Sequence, residues 1–190
     1  MLDSQIARLA LGRHGLSTAE IDARLAEMVA RMGEHYAAAV ARDSRVEYLL
    51  PGVVAVAERL RNEGFALGVL TGNSRAVARA KLEAAGVAHL FPIGAYGDTA
   101  HERGHLVEAG QREAWEHYRA TFDGPRTILV GDTPRDIEAA RAAGARVLAV
   151  ATGRFGVDDL AAHAPDAVLP DLSDVEAATA AIHAMVGVTR

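Results

Sequence analysis

The sequence predicts an α/β protein, a Rossmann-like parallel sheet flanked by helices and preceded by a helical segment. Three observations carry this. From residue 65 onward, short apolar runs alternate with helical stretches of about ten residues, the pattern of βαβ units and a parallel sheet. Glycines stop two of those helical stretches, at Gly86 and Gly144, where a helix end favours a residue without a Cβ. Before residue 45 the periodicity is helical only, so the pattern changes near residue 48. The expected division is a helical part over residues 1–48 and an α/β core over 49–190.

In the helical part, Ile6, Leu9 and Leu11 precede a break at Gly12 and Gly15. Ser17 and Glu20 then have the spacing of a capping box. After them Ile21, Leu25, Met28, Met32, Tyr36 and Val40 recur at three- and four-residue steps, one face of a helix. Leu50-Pro51-Gly52 punctuates the chain, and a helix through Val54, Val56 and Leu60 ends near Gly64. The core then reads as strand Phe65 to Leu70, helix Arg75 to Ala85, strand Ile93 to Tyr96 and helix Leu106 to Tyr118. Strand Thr127 to Val130, helix Pro134 to Ala143 and strand Arg146 to Val150 follow. A short helix near Val157 to Ala162, strand Ala167 to Leu169 and helix Val175 to Met185 close it. Sheets of this kind bind ligands beyond the carboxyl ends of their strands.

Composition narrows the function. At 190 residues the chain is long enough for one domain with an appendage. Half of it is apolar and 24% is charged, with a formal net charge of -5. No basic block stands out, which argues against nucleic acid as the partner. There is no uncharged apolar run of about 18 residues and no visible signal peptide. No membrane partner is expected, and the location is expected to be cytoplasmic. With no cysteine, disulfides and thiolate chemistry are excluded. Lys81 is the only lysine and sits on what reads as an exposed helix face.

Three strand ends carry candidate chemistry. In Gly131-Asp132-Thr133-Pro134-Arg135-Asp136, two carboxylates four positions apart follow an apolar strand. Such a pair can share a hard cation such as Mg²⁺, which takes oxygen ligands and bridges to phosphate. A plainer reading makes Thr133 an N-cap, Pro134 the first helical residue and Asp136 the third residue of a near capping box. That accounts for Thr133, Pro134 and Asp136 but not for Asp132, which needs a partner or a cation if buried. In Leu70-Thr71-Gly72-Asn73-Ser74, Thr71 offers a hydroxyl and Gly72 lets a ligand approach the backbone. The following helix N-terminus favours an anion; alternatively Asn73 or Ser74 merely caps that helix. In Gly97-Asp98-Thr99-Ala100-His101-Glu102-Arg103, Arg103 can bridge a phosphate with its forked guanidinium or be a solvated loop residue. His101 and His105 read as surface residues. The small-residue loop at Ala149-Val150-Ala151-Thr152-Gly153 either lines the site or is a tight turn.

The order of these elements resembles the haloacid dehalogenase-like hydrolase superfamily, and within it the phosphoglycolate phosphatase-type enzymes. Leu70-Thr71-Gly72-Asn73 matches the second motif of that family. Gly131-Asp132-Thr133 with Asp136, running on to Gly144, matches the fourth motif and its helix. The likeness runs from about residue 5 to residue 186. It implies a phosphate site at Thr71, Gly72, Asn73 and Arg103, with Arg103 standing where the family offers a lysine. It implies Asp132 and Asp136 as Mg²⁺ residues, residues 1–48 as part of a helical cap, and a small phosphorylated metabolite as substrate. The state expected is monomer or homodimer.

The first motif of the family, Asp-x-Asp-Gly-Thr, is missing. It supplies the nucleophile and the acid/base, and nothing before Leu50 reads as its strand; the only acid near the start is Asp3, with no apolar strand before it. No catalytic residue is therefore assigned. The expectation is an N-terminally truncated phosphatase, from a misplaced start or a gene lesion, whose turnover is impaired. Reading the upstream DNA in frame for the motif tests the misplaced start. In the family the missing strand lies between the strands that end at Thr71 and Asp132, so these must either pair directly or face a gap. Each buried backbone group left unpaired there would cost about 1–3 kcal/mol. The competing class is a non-catalytic phosphate- or metal-binding regulatory protein on the same fold. A receiver-like domain is disfavoured by the placing of the acids, and a dinucleotide site by the lack of Gly-x-Gly-x-x-Gly.

Overall fold

A computed structural model describes residues 3–40, 44–98 and 105–187. Two helices open it, α1 (Asp3–Arg13) and α2 (Thr18–Val40). Ser17 and Glu20 form the expected reciprocal cap, with Glu20 Oε2 accepting from the Ser17 amide at 2.9 Å and its hydroxyl at 2.7 Å. The buried face of α2 runs through Ile21, Val29, Gly33 and Val40. Met32, expected on that face, is exposed instead, because the side of α2 turned toward the core passes through its neighbour Gly33.

The core follows as α3 (Val53–Asn62), β1 (Gly68–Leu70), α4 (Arg75–Ala84), β2 (Ile93–Ala95) and α5 (Leu106–Tyr118). Then come β3 (Ile128–Gly131), α6 (Pro134–Ala142), β4 (Arg146–Val150), α7 (Val157–Ala161), β5 (Ala167–Leu169) and α8 (Val175–Val186). All strand pairings are parallel. α2 packs along α4 and α1 packs on α2. β1 starts at Gly68 rather than at Phe65. The Phe65 amide is used to close α3, donating to Leu60 O at 3.0 Å, and β2 offers a partner only from Ile93.

β4 shows why the segment had to be a central strand. Its successive side chains point to opposite faces. Val147 and Ala149 join Leu129, Ile137 and Leu160 on one face, and Leu148 and Val150 join Val56, Leu60 and Ile182 on the other. A strand buried on both faces reads as a continuous apolar run, as Val147-Leu148-Ala149-Val150 does.

The sheet is in two pieces. β1 pairs with β2, and β3 with β4 and through it β5, while β1 and β3 do not pair. Of the two outcomes open to β1 and β3, the fold takes the gap. A cavity of about 440 Å³ lies between them, lined by residues of β1 and β3 and by apolar side chains of the helices on either face. On its rim Val130 remains 42% exposed, although it sits in an Ile-Leu-Val strand.

Candidate active site

The carboxyl ends of β1 and β3 flank the mouth of this gap, and each leads into a helix. Beyond β3, Thr133 caps α6. Its hydroxyl accepts from the Asp136 amide at 3.3 Å, and Asp136 Oδ2 accepts from the Thr133 amide at 3.1 Å and its hydroxyl at 2.7 Å. The capping-box reading of Thr133, Pro134 and Asp136 therefore holds. Asp136 is buried, and its carboxylate lies against Gly131, where a Cβ would collide with it.

Asp132 is not part of that cap. Its carboxylate lies against Gly153, in the space a Cβ there would occupy. Among the described residues no hydrogen bond or ion pair reaches it. The loop Ala151-Thr152-Gly153 thus lines the site, and its glycine is what makes room for the acid. Two carboxylates with glycine-cleared surroundings suit a hard cation in ligand type. Among the described residues no third acid or histidine joins them.

Beyond β1, the Thr71 hydroxyl accepts from the Asn73 amide at 3.2 Å. The cap of α4 differs from the expected one. Ser74 stands at the N-cap position, but its side chain makes no capping bond. The Asp3 carboxylate takes that role, accepting from the Ser74 amide at 2.8 Å and from Asn73 Nδ2 at 3.1 Å. Asp98 Oδ2 accepts from the next amide, Arg75 N, at 3.0 Å. The Asn73 carbonyl of the side chain is held from the other side by Lys81 Nζ at 2.8 Å. Lys81 is exposed as expected, but it reaches back to the loop along α4. The backbone Asp3 amide donates to Gly72 O at 2.9 Å and the Ser4 hydroxyl to Gly97 O at 3.3 Å, so α1 is pinned to both loops.

Behind the loop, Arg75 pairs with Glu113 at 2.8 Å and lies over the Tyr96 ring at 4.5 Å. The Glu113 hydrogen bond raises the Arg75 guanidinium above its ordinary range, and burial raises the Tyr96 phenol. Both groups keep their usual charge at neutral pH.

The structure places Thr71, Gly72 and Asn73 directly after β1, and Asp132 and Asp136 in the turn and first helical turn after β3. Arg103 lies outside the described residues. Sequence reasoning missed the contacts of Asp3 and Lys81 with the loop after β1, whereas Gly153 lies in the small-residue loop it had named as able to line the site.

A family model for haloacid dehalogenase-like hydrolases matches residues 5–144. The phosphoglycolate phosphatase of Synechococcus elongatus is 34% identical over 129 residues, which are 67% of this chain and 57% of that protein. A plasmid phosphoglycolate phosphatase of Cupriavidus necator is 31% identical over 169 residues, 88% of this chain and 71% of its own. Among solved structures, a predicted phosphoglycolate phosphatase from Haemophilus somnus superposes with a TM-score of 0.58 at 25% identity, over 69% of this chain and 57% of that one. A β-phosphoglucomutase from Clostridium difficile superposes with a TM-score of 0.66 over 97% of this chain and 76% of its own; at 13% identity that likeness concerns the fold. The chain spans little more than half the length of the Synechococcus protein.

Proposed function

Because the chain belongs to the haloacid dehalogenase-like hydrolase family, we propose that it carries the phosphate- and Mg²⁺-holding side of a hydrolase for small phosphomonoesters. The observation that supports this most is that Thr71–Gly72 and Asp132 directly follow the carboxyl ends of β1 and β3, two strands that line one cavity. Relatives named phosphoglycolate phosphatase make that ester the first substrate to try.

In this reading the Thr71 hydroxyl and the Gly72 amide donate to phosphoryl oxygens, backed by the N-terminus of α4. Asn73 is held rigid between Lys81 and Asp3 and sets the shape of the loop. Arg103 supplies a further positive contact. Asp132 and Asp136 hold Mg²⁺, which when bound neutralises charge on the transferring phosphoryl group. Helices α1 and α2 belong to a cap that covers the site and selects the substrate.

Residues 1–190 contain no Asp-x-Asp-Gly-Thr motif, so no nucleophile is assigned and turnover by this chain stays at background. The test is Mg²⁺-dependent phosphate release from phosphoglycolate and other small esters. Release well above background that disappears in Asp132→Asn would show that this chain holds its own nucleophile.

A second reading has one observation in its favour. The Asp3 carboxylate already sits on the Ser74 amide and on Asn73, as an anion would. A non-catalytic phosphate- or metal-binding regulatory protein would use that occupied loop as its sensor.

A further inference from the structure

Lys81 is the only lysine in a chain of formal net charge -5, and it is exposed on α4. Among the described residues no carboxylate pairs with it; Glu83, two positions on, pairs with Arg79 at 3.7 Å. The Lys81 ammonium instead turns back along the helix and donates to Asn73 Oδ1 at 2.8 Å. Its other neighbour is the Tyr36 ring of α2, whose centre lies 5.4 Å from Nζ. Fixing a flexible, strongly hydrated ammonium on a neutral amide costs rotamer freedom and hydration. Two contacts offset that cost. The far end of the same carboxamide, Asn73 Nδ2, donates to the Asp3 carboxylate at 3.1 Å. The amide thus joins an ammonium to a carboxylate, and both of its hydrogen bonds are charge-assisted. The Tyr36 ring adds a cation–π attraction. That ring is held by the seat of α2 on α4, where a Cβ on Gly33 would overlap Ala76 Cβ. Tyr36 stands three positions beyond Gly33, on the same face of α2.

We infer that Lys81 is a positioning residue for the loop Thr71–Ser74, held for that task by Tyr36 of α2. The consequence for ligand binding rests on the reading of this loop as the one that takes phosphate. Lys81 acts through Asn73. With Oδ1 on the ammonium and Nδ2 on Asp3, the carboxamide has one orientation. A flip would turn its NH₂ donors on the ammonium and its oxygen on the carboxylate. The fixed side chain in turn holds the Asn73 backbone, whose amide donates to the Thr71 hydroxyl at 3.2 Å and whose carbonyl accepts from the Gly97 amide at 2.7 Å. Those two bonds set the turn around Gly72. The seat of α2 on α4 is thereby transmitted to the loop through one side chain, and the ammonium adds positive charge beside the loop that favours an anion.

The experiment is NMR on the isotope-labelled chain, in which the single lysine gives one side-chain spin system. In the free chain, Tyr36→Leu should remove the ring-current shift of the Lys81 side chain. It should also move the Asn73 side-chain signals and the Gly72 and Ser74 amides. Tyr36→Phe, which keeps the ring, should leave them in place. Lys81→Met should move the same Asn73, Gly72 and Ser74 signals. Lys81→Arg should largely restore them, because a guanidinium also donates and also lies over an aromatic face. In a titration with inorganic phosphate, Lys81→Met should weaken binding about fivefold, and Tyr36→Leu should act in the same direction. Arg79→Met removes the same charge from the same helix and should weaken binding by less than about twofold. Asn73, Gly72 and Ser74 signals that stay in place in Tyr36→Leu and Lys81→Met overturn the inference. Equal losses of phosphate affinity in Arg79→Met and Lys81→Met also overturn it, since bulk charge would then be the cause. A wild-type chain that binds no phosphate overturns the phosphate reading alone; the free-chain signals then decide the role of Lys81 without it.

Discussion

The Asp3 carboxylate accepts a hydrogen bond from the Ser74 amide at 2.8 Å, across 71 positions of sequence. An acid at the start of the first helix thus caps a helix of the core. The same carboxylate engages Asn73, and Lys81 holds that side chain from behind. The loop proposed to take phosphate is therefore preset by an internal anion.

Asp3→Ala should remove the cap and cost about 1 kcal/mol of stability, the usual size of a lost N-cap. Hydrogen exchange at Ser74 should speed up. With the internal anion gone, inorganic phosphate should bind the loop more tightly, which an NMR titration reads at Thr71 and Gly72.

Stability should separate the two acids of the β3–α6 turn. Asp136→Ala breaks the capping box and leaves the Thr133 amide and hydroxyl without the Asp136 acceptor, for a loss of about 1–2 kcal/mol. Asp132→Asn disturbs no hydrogen bond among the described residues and should change stability by less than about 0.5 kcal/mol. Both should weaken Mg²⁺ binding. Urea unfolding and calorimetric Mg²⁺ titration on the two variants make the comparison.

Two glycines should divide in the same way. Gly153→Ala places a methyl in the space of the Asp132 carboxylate, and Gly131→Ala places one against the Asp136 side chain. The first acid can rotate away, so Mg²⁺ affinity should fall with little change in Tm. The second is locked in a cap, so overpacking should cost about 1–3 kcal/mol.

Much of the fold was legible because its signals are local. β4 needed only its own apolar run, and α6 only Thr133, Pro134 and Asp136. The β1 boundary was misread from Phe65 because strand length depends on what lies alongside. β2 offers three residues, and among the described residues no strand pairs with the other edge. In the site, Asp132 stood out since no cap explained it. Asp3 and Lys81 were not legible, because each acts through a partner that chain folding brings near: Asp3 across 71 positions, Lys81 over two turns of α4. The cap of α4 was misread for the same reason, as its acceptors are Asp3 and Asp98 rather than Ser74.

Acid should loosen the start of α2. Hydrogen bonds from the Ser17 hydroxyl and amide hold the Glu20 carboxyl below the usual glutamate range. A depressed folded-state value means that its contribution is present above the unfolded glutamate value, about 4.3, and is lost as pH falls through the folded one. Circular dichroism from about pH 5 to about pH 3 should show helix loss, and Glu20→Gln should flatten that part of the curve.

The central claim is that Thr71 and Asp132 serve one site from two sides of the divided sheet. It is tested most directly by an NMR titration of the chain with Mg²⁺ and inorganic phosphate together. The account predicts joint, saturable shifts at Thr71, Gly72 and Asp132 that require both ions and vanish in Asp132→Asn. Shifts confined to one loop, or phosphate binding at Thr71 that ignores Mg²⁺ and survives Asp132→Asn, would contradict it.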